Sequence, residues 1–234
     1  MAVVTEPIPA QLVKPRPPAL LRRPTSPKGV WGWMTTIDHK KIGLLYIATA
    51  FGFFIVGGIE ALILRLQLGG PNGHVVSADV YNQIFTMHGT TMIFLVIMPL
   101  STGLANYLVP LMIGARDVAF PRLNAFGYWV FVLGGLFMYS SFVFGGAPNG
   151  GWFGYAPNTL RAFNPGHNID YWVFGLQILG IASLTGAINL IVTVINNGMV
   201  VIGLPSYVQD GVLGVLVIIA VVLSTNRKSL SLVK

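Results

Sequence analysis

The sequence predicts an all-α integral membrane protein, a bundle of membrane-spanning helices. Three observations predict it. Of 234 residues, 54% are hydrophobic and only 9% are charged, whereas a soluble domain carries about 25% charged residues. Mean hydropathy is +0.71. Long stretches also carry no charge: from Val80 to Ala115 there is no Asp, Glu, Lys or Arg. Roughly 20 apolar residues at a 1.5 Å rise cross a hydrocarbon core of about 30 Å.

Residues 1–30 are proline-dense and basic, with no apolar run long enough for a signal-peptide core, and read as a disordered cytoplasmic arm. Trp31 and Trp33 suit a membrane interface, and Lys40 and Lys41 mark the start of the first span. That span is expected over about 42–64, closed by Arg65. The Gly- and Asn-rich segment 67–81 is a polar turn region. The second span is expected over about 82–109, followed by the short charged segment 111–124. The third span is expected over about 125–144, and its Gly134–Gly135 pair, like Gly57–Gly58 in the first, reads as close helix packing. The loop 145–168 is rich in Gly, Pro, Asn and aromatics. A fourth span is expected over about 169–195, and a further apolar helix over about 208–223.

The chain has no cysteine, which excludes disulfides, thiolate metal sites and iron–sulfur clusters and leaves any metal chemistry to His, carboxylates or a bound cofactor. The net charge of +7 does not indicate nucleic acid, because much of the excess lies in the first 41 residues, where basic residues set topology. Lys14, Arg16, Arg22, Arg23, Lys28, Lys40 and Lys41 place the N-terminus in the cytoplasm. Arg116 and Arg122 fit a cytoplasmic second loop. Arg227, Lys228 and Lys234 break the rule if the last apolar run crosses, because they would then end outside.

Few residues at membrane depth can carry chemistry. His88 is an imidazole inside an apolar run, and an ionisable group there is a functional candidate by default. It reads equally as a ring hydrogen-bonded to a neighbouring helix and as a metal or haem ligand. Arg65, expected at the same depth, either snorkels to the head groups or donates to a bound cofactor. Asp117 lies at the opposite end of the second span, with Asn106 before it and Asn124 after it. It either pairs with Arg116 or Arg122, or takes up protons while the amides order water. His39, His74 and His167 have no zinc-like spacing, and there is no P-loop, dinucleotide fingerprint or nucleophile elbow.

Several collinear blocks give a more specific reading: TTIDHKKIGLLY (35–46), IEALILRLQL (59–68), YNQIFTMHGTTMIFL (81–95), ANYLVPLMIGARDVAFPRLNAFGYW (105–129), GGW (150–152) and LQILGIASLTGAINLIVT (176–193). They resemble, in order and over about 31–195, subunit I of the haem–copper oxidases of the cytochrome c oxidase type. The resemblance implies the first four of that family's twelve spans. It implies that His88 is an axial ligand of a low-spin haem of the a type, that Arg65 hydrogen-bonds its formyl group, and that Trp152 lies near its propionates. It implies that Asp117 opens a proton-uptake path with Asn106 and Asn124, continued by Ser183 and Asn189. It also implies copper and a high-spin haem in the full-length family, subunits II and III as partners, cytochrome c as indirect electron donor, and a bacterial inner-membrane location.

Two departures qualify that resemblance. The second low-spin haem ligand, the copper ligands and the high-spin haem ligand belong to later spans, so the expectation is a fragment inactive by itself. Residues 196–234 resemble instead the last span of sugar-type ABC transporter permeases. That makes a fused, truncated or misassembled reading frame an expectation. A permease component or a non-functional membrane peptide is the alternative to an oxidase fragment.

Overall fold

A computed structural model of the chain describes residues 29–224. The arm up to residue 28, and the basic Arg227, Lys228 and Lys234 of the tail, lie outside the described residues. Described residues 29–35 and 36–224 belong to two separate units. In the first, α1 (Val30–Met34) is a five-residue helix, and the Thr35 hydroxyl donates to the Trp31 carbonyl at 2.8 Å.

The second unit holds the helical bundle. It begins with α2 (His39–Gln67), capped by the Asp38 carboxylate, which accepts from the Lys40 backbone N–H at 2.9 Å. Next comes α3 (Ala78–Thr90), with Ser77 as its N-cap. This helix runs directly into a π-helical segment, Thr91–Ile97, and on into α4 (Met98–Met112), so one continuous rod covers Ala78–Met112. Pro99 and Pro110 lie inside this rod, where each lacks an N–H to donate. Pro121 opens α5 (Pro121–Ser140), where its missing N–H costs least. Proline preorganises that start, so the third span begins before the expected residue 125 and ends at Ser140, where Ser140 and Ser141 turn their hydroxyls back onto the Phe137 and Met138 carbonyls.

The fourth long helix, α6 (Asn168–Val201), is unbroken across residues 195–196, where a change of origin was expected. Gly203 ends it at φ +76°, and the Leu204 N–H returns to the Met199 carbonyl at 3.0 Å, a left-handed glycine stop. Pro205 then separates it from α7 (Ser206–Ser224), a shorter apolar helix. Four helices, His39–Gln67, Ala78–Met112, Pro121–Ser140 and Asn168–Val201, are long and apolar enough to cross a membrane. The architecture is therefore all-α, four membrane-type spans and one further apolar helix.

The core is a strip of residues shared by the four long helices: Ile42 and Tyr46 of α2, Met87 of α3, Leu95 of the π segment, Phe131 and Met138 of α5, and Leu179 of α6. Most other apolar side chains face outward, as lipid-facing side chains do, because hydrocarbon replaces the buried side of a soluble helix. Glycines set the closest approaches. Gly134 and Gly135 pack against Ile178 and Phe53, and Gly57 packs against Met92. Gly58 differs from the packing expectation, because nothing lies within 4 Å of where its Cβ would be.

Candidate functional site

At one end of the bundle, α3 carries His88 against α2. The His88 Nδ1 lies 2.9 Å from the Gly57 carbonyl oxygen. A carbonyl can only accept, so Nδ1 carries the proton, and the neutral ring keeps its lone pair on Nε2, the atom left for a metal. His88 is half-buried. Both readings of this imidazole are thus compatible in one ring: hydrogen-bonded through Nδ1 to a neighbouring helix, free to ligate through Nε2. Among the described residues no group of three or more His, Cys, Asp or Glu could hold a metal ion. The donor set fits a cofactor that brings most of its own ligands, as a haem does, better than a bare ion.

Trp152, from the loop after α5, joins His88 there. A Cβ on Gly89 would lie 2.7 Å from the Trp152 ring, so glycine beside His88 admits the indole. The loop is tied to α3 by the Gly151 N–H, which donates to the Thr86 hydroxyl at 2.9 Å. Arg65 is less closely associated. It is exposed, eight residues past Gly57 and so about 12 Å further along the axis. Its charge in the last turn of α2 suits the helix dipole.

Glu60, which has no role in the sequence reading, proves to be a buried group of this end. Glu60 is 7% exposed, its Oε1 accepts from the Tyr139 hydroxyl at 3.1 Å, and its Oε2 has no partner. The Tyr139 hydroxyl also meets the Thr91 hydroxyl at 2.6 Å. The network therefore ties α2 and α5 to the first residue of the π segment, three residues beyond His88. Glu60 lies within the 59–68 block, where only the signal of an acid inside an apolar run pointed to it.

Asp117 and the amides gather at the opposite end. His39 is 1% exposed, and its Nδ1 donates to the Asn106 carbonyl at 2.8 Å. His39 Nε2, Asn106 Nδ2 and Asn124 Nδ2 are buried there without a protein partner. Buried polar atoms left in this state are where ordered water binds. The Asp117 carboxylate accepts from the Val118 N–H at 2.8 Å. No ion pair joins it to Arg116 or Arg122 among the described residues. Burial pushes the Asp117 carboxyl above its ordinary 3.8, against the opposing pull of the Val118 N–H and of His39.

That displacement has a definite sign. The folded chain holds the Asp117 proton more tightly than the unfolded chain does. Stability should therefore fall as pH rises from about 3.8 through the higher folded value. Asp117→Asn removes that fall. Melting temperatures in detergent, taken across this window, should decline less steeply for the variant, and parallel profiles would exclude the assignment.

Asn189, expected further along the proton path, has both polar atoms of its amide engaged, Oδ1 accepting from the Phe120 N–H at 2.8 Å and Nδ2 donating to the Phe120 carbonyl at 3.0 Å. One turn on, the Thr193 hydroxyl accepts from the Ala119 N–H at 2.8 Å, and a turn further Asn197 donates to the Ile113 carbonyl at 2.6 Å. One face of α6 thus clamps the segment that carries Asp117. Ser183 is exposed on one side and lines a cavity of about 200 Å3 with Tyr46, Phe94, Thr102 and Phe131. It sits deeper in the bundle than Asn189, six residues away along α6.

Comparison with known proteins places these features in a family. The model of the family "Cytochrome C and Quinol oxidase polypeptide I" matches residues 41–231. The match runs through the tail, so the resemblance of residues 196–234 to a permease span gains no support. Cytochrome c oxidase subunit 1 of Bacillus subtilis strain 168 is 49% identical over 192 residues, 81% of this chain and 30% of that protein. The protein of the same name from Bacillus sp. strain PS3 is 52% identical over 167 residues, 71% of this chain and 27% of its own length. Quinol oxidase subunit 1 of Bacillus subtilis strain 168 is 42% identical over 196 residues, 82% of this chain and 30% of that protein. The chain thus spans less than a third of the length of these curated relatives.

Proposed function

The chain belongs to the cytochrome c and quinol oxidase polypeptide I family, and we propose that it supplies one axial ligand of a low-spin haem and the mouth of a proton-uptake path in such an oxidase. One observation carries the reading: the Gly57 carbonyl fixes the His88 tautomer that leaves Nε2 free. A haem bound there supplies reversible one-electron transfer. This chain's residues do the rest. His88 would hold the haem iron through Nε2; Arg65, always charged and carrying a fork of donors, would donate to the formyl group of an a-type haem; Trp152 would stand near its propionates. At the other end Asp117 takes protons from solvent, its proton affinity raised by burial. Asn106 and Asn124 hold water on their free amides, His39 orders the Asn106 backbone, Asn189 holds the Asp117 loop, and Ser183 lines the cavity further in.

In the complete oxidase these spans work beside copper and a high-spin haem held elsewhere, with subunits II and III as partners. Cytochrome c is the indirect electron source, in keeping with the names of the 49% and 52% identical relatives. The location is the bacterial inner membrane with the N-terminus in the cytoplasm, supported by the basic residues before the first span.

The test is haem titration of the purified chain in detergent, followed by gel filtration. About one haem should stay with each chain, and the ferrous carbonyl adduct should show the absorption of imidazole-ligated haem. A permease component or a redox-inert membrane peptide would retain none, and that result overturns the reading.

A further inference from the structure

We infer that Trp172 is a positioning residue for His88, acting through the Thr90 hydroxyl to fix how α3 is rotated about its own axis. The inference rests on the proposed role of His88, but it has a readout that needs no haem.

The geometry is a clamp with two jaws. On one side of α3, Trp172 of α6 donates its indole N–H to the Thr90 Oγ1 at 3.0 Å. The Thr90 hydroxyl in turn donates to the Thr86 carbonyl at 2.8 Å. One turn back, the Thr86 hydroxyl donates to the Asn82 carbonyl at 2.8 Å and accepts the Gly151 N–H at 2.9 Å. Thr86 and Thr90 are both 0% exposed. Four residues apart, they share one face of the helix. His88 is two residues from each, about 200° around the axis, and so projects from the opposite face. There its Nδ1 meets α2 at the Gly57 carbonyl. With α6 and the loop holding one face and α2 the other, a rotation of α3 must break bonds on both.

The need for a clamp at this point is visible in the backbone. The π segment starts at Thr91, directly after Thr90. A π turn places its hydrogen bonds one residue out of phase with the α-helix and is weaker per turn. The turn carrying His88 therefore abuts the place where the rod changes phase and where rotation is least resisted by the backbone itself. A buried indole N–H needs an acceptor, and the Thr90 oxygen, its proton already spent on Thr86, offers one fixed direction.

Trp172 also couples this helix to the loop that bears Trp152. A Cβ on Gly154 would lie 2.6 Å from the Trp172 ring, and Gly154 has φ +61°, so glycine is needed there twice over. The Trp172 ring thus supports the loop two residues from Trp152, whose own ring lies on Gly89. One side chain sets both the turn that carries the imidazole and the loop that covers it.

The experiment uses the full chain in detergent with 15N-labelled histidine. In the unsubstituted chain the His88 ring should show the Nδ1-protonated form. Trp172→Phe, which keeps a ring but loses the donor, and Thr90→Val, which keeps the shape but loses the hydroxyl, should both shift His88 toward the ordinary mixture of tautomers. Thr90→Ser, which keeps the hydroxyl, should restore the native signal. Haem affinity should fall about tenfold in Trp172→Phe and Thr90→Val, at the low end of the loss seen when an outer partner of a metal ligand is removed. The double variant should be no worse than either single one. An unchanged His88 tautomer and unchanged haem affinity in both variants, even with a lower melting temperature, would make Trp172 merely part of the core and overturn the inference. If the unsubstituted chain binds no haem, the proposed function falls, and the tautomer measurement alone decides the positioning role.

Discussion

Substituting His88 with Ala should abolish haem retention by the purified chain. His88 is an imidazole on a membrane-type span whose Nε2 is left free by a hydrogen bond through Nδ1. The axial bond is made by one atom on one side chain, so its loss is not graded. The affinity of the variant should fall at least about a hundredfold, roughly 2.7 kcal/mol, and the carbonyl adduct should lose its imidazole signature. The fold should survive, because His88 is half-buried and its hydrogen bond contributes only about 1 kcal/mol. Circular dichroism and melting temperature serve as controls. Free imidazole, entering the space left by the side chain, should restore part of the retention. Equal retention by His88→Ala and the unsubstituted chain would mean that haem adheres to the apolar surface and that His88 is not its ligand.

Much of the fold is legible in the sequence because membrane-length apolar runs are set by bilayer thickness and need no tertiary information. The spans stand where hydropathy puts them. The differences are local: Pro121 starts α5 earlier than the apolar run does, and α6 continues to Val201, six residues past its expected end. The π segment Thr91–Ile97 was not legible. A π turn is selected by contacts, here Thr91 to Tyr139 and Glu60, which no short-range pattern encodes.

The candidate site was legible where a residue type is rare in its setting. His88 and Asp117 stand out as ionisable groups at or near apolar spans. Their surroundings were not legible. The two hydrogen bonds of the Asn189 amide to the Phe120 backbone were hidden, and only the folded path of residues 113–120 shows them. His39, which only lacks zinc-like spacing in the sequence, is buried against Asn106, 67 residues away. Trp172 carried no signal, because an aromatic near a span end is ordinary in membrane proteins. Its meaning lies in one hydrogen bond across the bundle.

The crossing of α2 and α4 should be the least tolerant point of the structure. A Cβ on Gly43 would lie 2.8 Å from the Gly103 carbonyl oxygen, and one on Gly103 would lie 2.9 Å from the Gly43 carbonyl oxygen. The Gly103 position is also closed by the Tyr46 Cβ at 2.9 Å, and the Gly43 position by the Tyr107 Cβ at 3.1 Å. These are backbone and first side-chain atoms, which cannot swing aside. In a membrane, close backbone approach replaces the hydrophobic effect as the cause of helix association. Gly103→Ala should therefore cost about 1–3 kcal/mol, as overpacking does, and lower the melting temperature by about 2–4 °C per kcal/mol. Gly103→Leu should prevent α2 and α4 from docking. Gly180→Ala is the matched comparison, because nothing lies within 4 Å of its missing Cβ and alanine favours a helix over glycine by about 0.5–1 kcal/mol. A Gly103→Ala chain as stable as Gly180→Ala would refute the crossing. The consequence reaches the candidate site as well. His39 precedes Gly43 by one turn, Asn106 follows Gly103 by one turn, and their hydrogen bond closes the space beside Asp117. A wedge at the glycines must lengthen that bond, so the variant should also weaken the pH dependence of stability that Asp117 confers.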